Sequence, residues 1–349
     1  MTDLILFSLL LLCPFCIDHK KEFRQKMGTC LSAVFLILLF GLRHYTVGTD
    51  SGTYAFRYET LTELSVFEPG FVCLMKVLHA ICAHYTFFFV VVACIIWGGL
   101  VHFYSKYTSL YWLAIFLFCA LGGINTIANN CMRQGIAIII FLNAISFALN
   151  KQWIQYFLLA TVAFLFHRSA ILIFPMYFLM QARFRWWLLV PSLVFFIGVL
   201  GFADSITNFL FSDYDRYLIE VDQVNKGKIV QLGLVSCFAL VPLYSYYKTP
   251  KKDFQVKNMI LWMITVYLIC AWGAYIFNVG RALSRLAWYA FPIVWLSFAK
   301  YVEEKPSRFR FLILVAVIFL IFCYRLGVYQ LSDTSAQADM IYYYKLFWQ

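Results

Sequence analysis

Long apolar runs, broken by short polar stretches, follow one another along nearly the whole chain. The runs fall at about 2–17, 29–42, 86–103, 110–127, 134–149, 152–166, 169–181, 186–203, 229–247, 259–279, 286–299 and 311–327. Crossing roughly 30 Å of hydrocarbon takes about 20 helical residues, so several of these are short. A backbone in lipid must satisfy its own hydrogen bonds, and apolar runs of this length do so as helices. The pattern predicts an all-α polytopic integral membrane protein of about twelve transmembrane helices, several short or broken.

Composition agrees. Of the 349 residues 63% are hydrophobic and 13% charged, with a mean hydropathy of +0.78. A soluble domain carries roughly 25% charged residues. No stretch is polar enough for a separate soluble domain, so residues 1–349 read as a single transmembrane domain. The first run follows Asp3 and has neither a basic leader nor a small-residue cleavage site, which predicts a retained helix. Most of the eleven cysteines (Cys94, Cys119, Cys237 and Cys270 among them) lie in apolar runs as small hydrophobes. Cys13-Pro14-Phe15-Cys16 has redox spacing, but it sits in a span without a βαβ context.

Two segments decide the threading. Lys151 flanks one end of 152–181, and Arg183 and Arg185 flank the other. A helix broken into a hairpin puts all three on the cytoplasmic side, as the positive-inside rule prefers, and lifts His167-Arg168-Ser169 to the outer face. The segment 70–84 is apolar but carries Lys76, His79 and His84. Were it to cross, Lys248, Lys251, Lys252 and Lys257 would face outward, so it reads as a re-entrant or interfacial helix after the first outer loop. With this threading eleven of fifteen lysines are cytoplasmic and both termini are periplasmic. The inner side then holds sixteen cations against five carboxylates, and the outer side twelve against twelve. The net charge of +11 therefore reports topology, and nucleic acid is not an expected partner.

Eight arginines remain outside, at the ends of apolar segments: Arg43, Arg57, Arg133, Arg168, Arg216, Arg281, Arg285 and Arg325. Arginine presents a rigid fork of donors that pairs bidentately with phosphate. Some of the eight have a structural explanation as snorkelling residues or as partners of Asp50, Glu59, Asp213 or Asp215. A cluster at membrane depth is costly unless it is used. Four stretches carry it: 41–59 with its glycines and hydroxyls; 129–135, Asn129-Asn130-Cys131-Met132-Arg133-Gln134-Gly135; the joint Phe166-His167-Arg168-Ser169-Ala170; and Arg281 with Arg285, one helical turn apart, followed a turn later by Tyr289. The outer loops 43–69 and 204–228 are expected to contribute to the site.

The order Arg43…Val47-Gly48-Thr49-Asp50…Tyr54, Glu68-Pro69-Gly70-Phe71, Met132-Arg133-Gln134-Gly135 and His167-Arg168-Ser169-Ala170 with Pro175 resembles the EpsG family of Wzy-type polysaccharide polymerases. The likeness is closest over residues 35–185. Beyond them it rests on Arg281, Arg285, Tyr289 and the helix layout. It implies a bacterial inner-membrane glycosyltransferase, hexosyltransferase in type, that joins undecaprenyl-diphosphate-linked oligosaccharide repeats on the periplasmic face. Its product would be O-antigen (hence lipopolysaccharide), capsule or exopolysaccharide. Donor and acceptor would both be lipid-linked, a chain-length regulator would be a partner, and a GT-C-like membrane architecture would accommodate the layout.

The chemistry of the residues fits that implication. The diphosphate leaving group gains negative charge in the transition state, and preorganised guanidinium groups stabilise it there more than in the ground state. Arg43, Arg133, Arg168, Arg281 and Arg285 are the expected diphosphate ligands. Arg57, Glu59, Tyr54, Asn129 and Tyr289 are further substrate-binding candidates. His167 and Asp50 are the candidate bases for the acceptor hydroxyl; Arg168 beside His167 disfavours the imidazolium and keeps it able to accept a proton. Neither a metal-ligand motif nor a cofactor motif is evident, and no cofactor is expected. A flippase or transporter of lipid-linked saccharide would favour internal repeats and midplane charges. A membrane O-acyltransferase would draw its donor from the cytoplasm, and a glycan ligase would share the same donor chemistry.

Overall fold

The computed structural model describes residues 22–123, 129–185, 187, 226–248, 254–276 and 280–331, apart from a few side chains at helix ends. The expected first span, most of 186–203, the outer segment 204–225 with Arg216, and Cys13 and Cys16 lie outside these residues. The described residues form helices joined by turns. In chain order they are α1 (Glu22–Gly41), α2 (Ser51–Thr60), α3 (Pro69–Ile81), α4 (Tyr85–Tyr107, with one wider π turn at Cys94–Gly98), α5 (Tyr111–Ala120), α6 (Met132–Leu149) and α7 (Trp153–Phe166). A 3-10 turn at Arg168–Leu172 follows, then α8 (Ile173–Gln181), α9 (Lys226–Lys248), α10 (Phe254–Ile276), α11 (Gly280–Glu303) and α12 (Ser307–Leu331).

Among the described residues five helical segments are long and apolar enough to cross a bilayer: Tyr85–Tyr107, Met132–Leu149, Ile229–Tyr247, Phe254–Tyr275 and Ser307–Tyr324. The protein is a multi-pass helical membrane protein. Along α12, Phe309, Phe311, Phe319 and Phe322 point away from the rest of the fold, as a lipid-facing helix requires. Helix α3 has 13 residues, about 20 Å at 1.5 Å per residue, which is short of the hydrocarbon thickness. Within the run 110–127 the described residues form a ten-residue helix, Tyr111–Ala120. Gly122 takes a φ of +108°, a left-handed conformation that stops the helix although the sequence stays apolar.

Two compact units form, residues 1–139 with 298–349 and residues 140–297. In the first, α1 packs along α4. Gly41 permits this, because a Cβ there would lie 2.8 Å from the Val90 Cα. Phe40 stacks on Trp97 at 4.7 Å, and the short α2 and α3 close over the start of α4 through Tyr58, Phe71 and Phe88. The two ends of α4 are held by different carboxylates. Glu59 Oε1 accepts from the Tyr85 N–H at 3.0 Å, and beyond Tyr107 Glu303 accepts from the Thr108 hydroxyl at 2.7 Å and the Ser109 N–H at 3.1 Å. The 23 residues of α4 separate these contacts by about 34 Å, a full membrane thickness.

In the second unit the helix break falls at the polar joint. His167 is extended (φ −158°, ψ 125°), ending α7 and opening the 3-10 turn. The chain then folds back. Tyr156 donates to the Ile173 carbonyl at 2.6 Å, and Phe157 lies 6.1 Å from Phe178. An unbroken helix would hold residues 157 and 178 about 32 Å apart. The expected hairpin is the observed structure. Its open end is clamped by α10: Asn258 accepts from the Phe184 N–H (2.7 Å) and donates to the carbonyls of Met180 (3.2 Å) and Ala182 (3.0 Å). Trp262 also donates to Ala182, at 2.8 Å. These side chains satisfy backbone groups that the end of α8 leaves without helical partners.

Candidate functional site

In the first unit the loop between α1 and α2 is stitched to the start of α6. The Thr49 N–H donates to the Asn130 side-chain carbonyl at 2.8 Å, and the Ser51 hydroxyl donates to the Asn129 carbonyl at 3.3 Å. Gly48 makes this approach possible. Its φ is +105°, and a Cβ would fall 2.8 Å from both Asn130 Oδ1 and Ser51 Oγ. Two stretches far apart in sequence thus form one cluster, with Val47 buried beneath it.

The arginines of this cluster divide by environment. Arg43 is 2% exposed. Its guanidinium donates to the Phe40 carbonyl at the end of α1, approaches Ser51 Oγ (3.5 Å) and Met132 Sδ (3.9 Å), and lies 4.3 Å over the Phe89 ring. That placement makes it a tie between α1, α2, α4 and α6. Arg133, at the start of α6, forms an ion pair with Glu68 at 2.5 Å, the two side chains being 11% and 6% exposed. Its Nε also donates to the Tyr54 hydroxyl at 3.4 Å, and its guanidinium lies 4.8 Å from the Phe67 ring centre. Arg57 lies 5.0 Å from the same ring and pairs with the exposed Glu63 at 3.1 Å. Phe67 is therefore shared by two guanidinium groups. Leu61 and Glu63 hold left-handed backbone (φ 51° and 50°), so the turn that delivers Glu63 to Arg57 is strained.

The other candidates of this unit take different positions. Tyr54 is buried and its hydroxyl pKa is raised by desolvation, a shift that Arg133 opposes; it stays protonated and can both accept and donate. Asn129 is buried, and its Oδ1 has no hydrogen-bond partner among the described residues. An unmet buried acceptor costs about 1–3 kcal/mol, which a hydroxyl-bearing ligand would recover. Asp50 is half-buried at the start of α2; its side chain accepts from the Thr49 hydroxyl at 3.3 Å and does not cap the helix. Glu59 caps α4 through Tyr85 and its carbonyl meets His79 Nε2 at 3.2 Å, while His84 Nδ1 accepts from the Thr86 N–H. Glu59, His79 and His84 are thus engaged in local structure.

In the second unit the hairpin joint meets α11. The Ser169 and Tyr289 hydroxyls share a hydrogen bond of 3.0 Å, both side chains are buried, and Tyr289 stands edge-on to Phe141 at 6.1 Å. His167 is buried, while Arg168 beside it is exposed. The His167 backbone donates to Ala163 (3.0 Å) and accepts from Ala170 (2.9 Å), which fixes the joint. Arg285 is half-buried one turn before Tyr289 on α11. The third and fourth sequence stretches are joined here through Ser169 and Tyr289. The side chains of Arg281 and Arg325 lie outside the described residues, as does most of loop 204–228.

Glu68 is the residue that the expected site omits. It stands before Pro69 at the start of α3, where an acidic residue reads as a helix-start signal; its side chain does not cap but pairs with Arg133. A family model for the EpsG family matches residues 27–346, nearly the whole chain. No curated protein and no solved structure matches.

Proposed function

Because the chain belongs to the EpsG family, a family of Wzy-like polysaccharide polymerases, we propose that it joins undecaprenyl-diphosphate-linked oligosaccharide repeats at the periplasmic face of the bacterial inner membrane. Its product is O-antigen or a related surface polysaccharide. The observation that carries the reading is Arg133, a guanidinium held in place on three sides by Glu68, Tyr54 and Phe67. Such a group is preorganised for a diphosphate and does not have to be gathered from solvent when charge develops.

In the proposed step an acceptor sugar hydroxyl attacks the anomeric carbon of the donor. A new glycosidic C–O bond forms and the bond from that carbon to the diphosphate oxygen breaks. The bonding electron pair leaves with undecaprenyl diphosphate, and the hydroxyl proton passes to a base, Asp50 or His167. Arginine charge opposite the departing diphosphate lowers the barrier without any acid, because diphosphate leaves well unprotonated. Arg133 is the diphosphate ligand of the first unit, with Arg57, Tyr54 and Asn129 as contacts for the glycan. Arg168 and Arg285, with Tyr289, are the ligands of the second unit, and Arg281 belongs with them. Both substrates of a polymerase carry a lipid diphosphate, so the reaction has use for more than one arginine cluster. Arg43, tied into the framework, is assigned to holding the loop that carries Asp50.

The threading of about twelve spans, with lysines inside and arginines outside, is part of the proposal. The separation of the Glu59 and Glu303 contacts across α4 supports it. A strain lacking the gene tests the function. It is expected to display single repeats on their carrier or core, and wild-type long-chain ladders in that strain would refute the polymerase reading.

A further inference from the structure

The second unit holds a cavity of about 500 Å³ that the arginine clusters do not include. It lies at the open end of the α7–α8 hairpin, the end away from the His167 joint, between the chain after α8 and the facing parts of α9 and α10. Arg183, Arg185 and Lys257 supply three cations to its lining. Lys257 is 5% exposed, and its ammonium lies 4.9 Å over the Tyr246 ring. Arg183 lies 5.8 Å over Phe254. A buried lysine on an aromatic wall, with two exposed arginines at the mouth, is an arrangement that receives an anion.

The rim says which anion. Trp187 and Tyr247 are exposed on the lining, the residue types that settle at the level of lipid headgroups, and Phe254 is exposed beside them. The floor includes Leu261 and the clamp residue Asn258, whose amide is engaged with the end of α8. Cations at headgroup depth with apolar walls suit a phosphate that brings acyl chains with it. The volume is ample for a phosphodiester headgroup. On the proposed threading Arg183, Arg185 and Lys257 are cytoplasmic, so the lipid comes from the inner leaflet.

We propose that this cavity is a binding site for the phosphate headgroup of an anionic phospholipid, separate from the site of glycan chemistry. Occupancy would bridge the segment after α8 to α9 and α10, bracing the hairpin from the end opposite its joint. The proposal does not depend on which glycan reaction the protein performs.

The test uses full-length protein in detergent, titrated with phosphatidylglycerol or with phosphatidylcholine of the same acyl chains, and read by native mass spectrometry. Preferential retention of phosphatidylglycerol is expected. In R183Q/R185Q, whose substituted side chains are exposed and so leave the core intact, the preference should fall about 25-fold, roughly fivefold for each basic residue removed. K257Q should lower it similarly. Equal retention of the two lipids by the wild-type protein, or an unchanged preference in R183Q/R185Q, overturns the site. Displacement of the lipid by inorganic phosphate at equal concentration overturns the assignment to a lipid and makes the ligand a free phosphate.

Discussion

Replacing Arg133 by lysine keeps the charge and removes the fork. The guanidinium pairs with Glu68, donates from Nε to Tyr54 and lies against Phe67, and a lysine ammonium can keep the first of these while losing the planar geometry of the other two. The Tyr54 bond is long at 3.4 Å, so its loss costs the fold only about 1 kcal/mol. Glu68, buried at 6% exposure, still has a cation beside it and is spared the roughly 3–5 kcal/mol penalty of an abandoned buried charge. Stability therefore changes little. Catalysis is affected far more: removing one preorganised donor from a developing anion costs about 3 kcal/mol, on the order of a hundredfold in rate. The assay is linkage formation by purified protein on lipid-linked repeats, with thermal unfolding measured alongside. Arg133→Lys at the wild-type rate would refute the diphosphate role. Loss of rate accompanied by unfolding would reduce Arg133 to a structural tie.

Further outcomes bear on the framework. Gly48→Ala places a methyl group 2.8 Å from Asn130 Oδ1 and Ser51 Oγ on a backbone at φ +105°; a loss of about 1–3 kcal/mol in unfolding free energy is expected, and wild-type stability would show that the loop can open without cost. In a double-mutant cycle Ser169→Ala and Tyr289→Phe should couple by about 1 kcal/mol, and strict additivity would deny that this bond anchors the hairpin joint. Burial raises the Tyr58 hydroxyl pKa to about 12. The folded value lies above the unfolded one, so the associated stability is complete below about pH 10 and is lost as pH rises through 12. Tyr58→Phe should flatten the alkaline limb of a stability profile, and an identical limb would assign it to other groups.

Much of this was legible in the chain because polar residues in a membrane protein must be explained locally. Basic residues at both ends of 152–181, Lys151 and Arg183 with Arg185, pointed to a hairpin with its joint at His167-Arg168-Ser169, and Tyr156 folded back onto Ile173 shows that hairpin. The glycines and hydroxyls of 41–59 predicted a tight loop; the part before Ser51 is one, with Gly48 accounting for a close approach, but Ser51–Thr60 is the helix α2. Within 110–127 hydropathy registers the apolar content but not a backbone such as that of Gly122, whose φ of +108° follows the end of α5. Glu68 stands in the family pattern, but its pairing with Arg133 was not legible, because a glutamate before proline suits a helix start as well as an ion pair and only packing against α6 distinguishes them. The cavity at Lys257 was hidden for the same reason. Its cations come from separate segments that sequence order does not bring together.

Reconstitution with defined undecaprenyl-diphosphate-linked repeats tests the central claim most directly. The account predicts products several repeats long, with one undecaprenyl diphosphate released for each linkage made. Repeats that stay single on their carriers, in protein that remains folded, would contradict it.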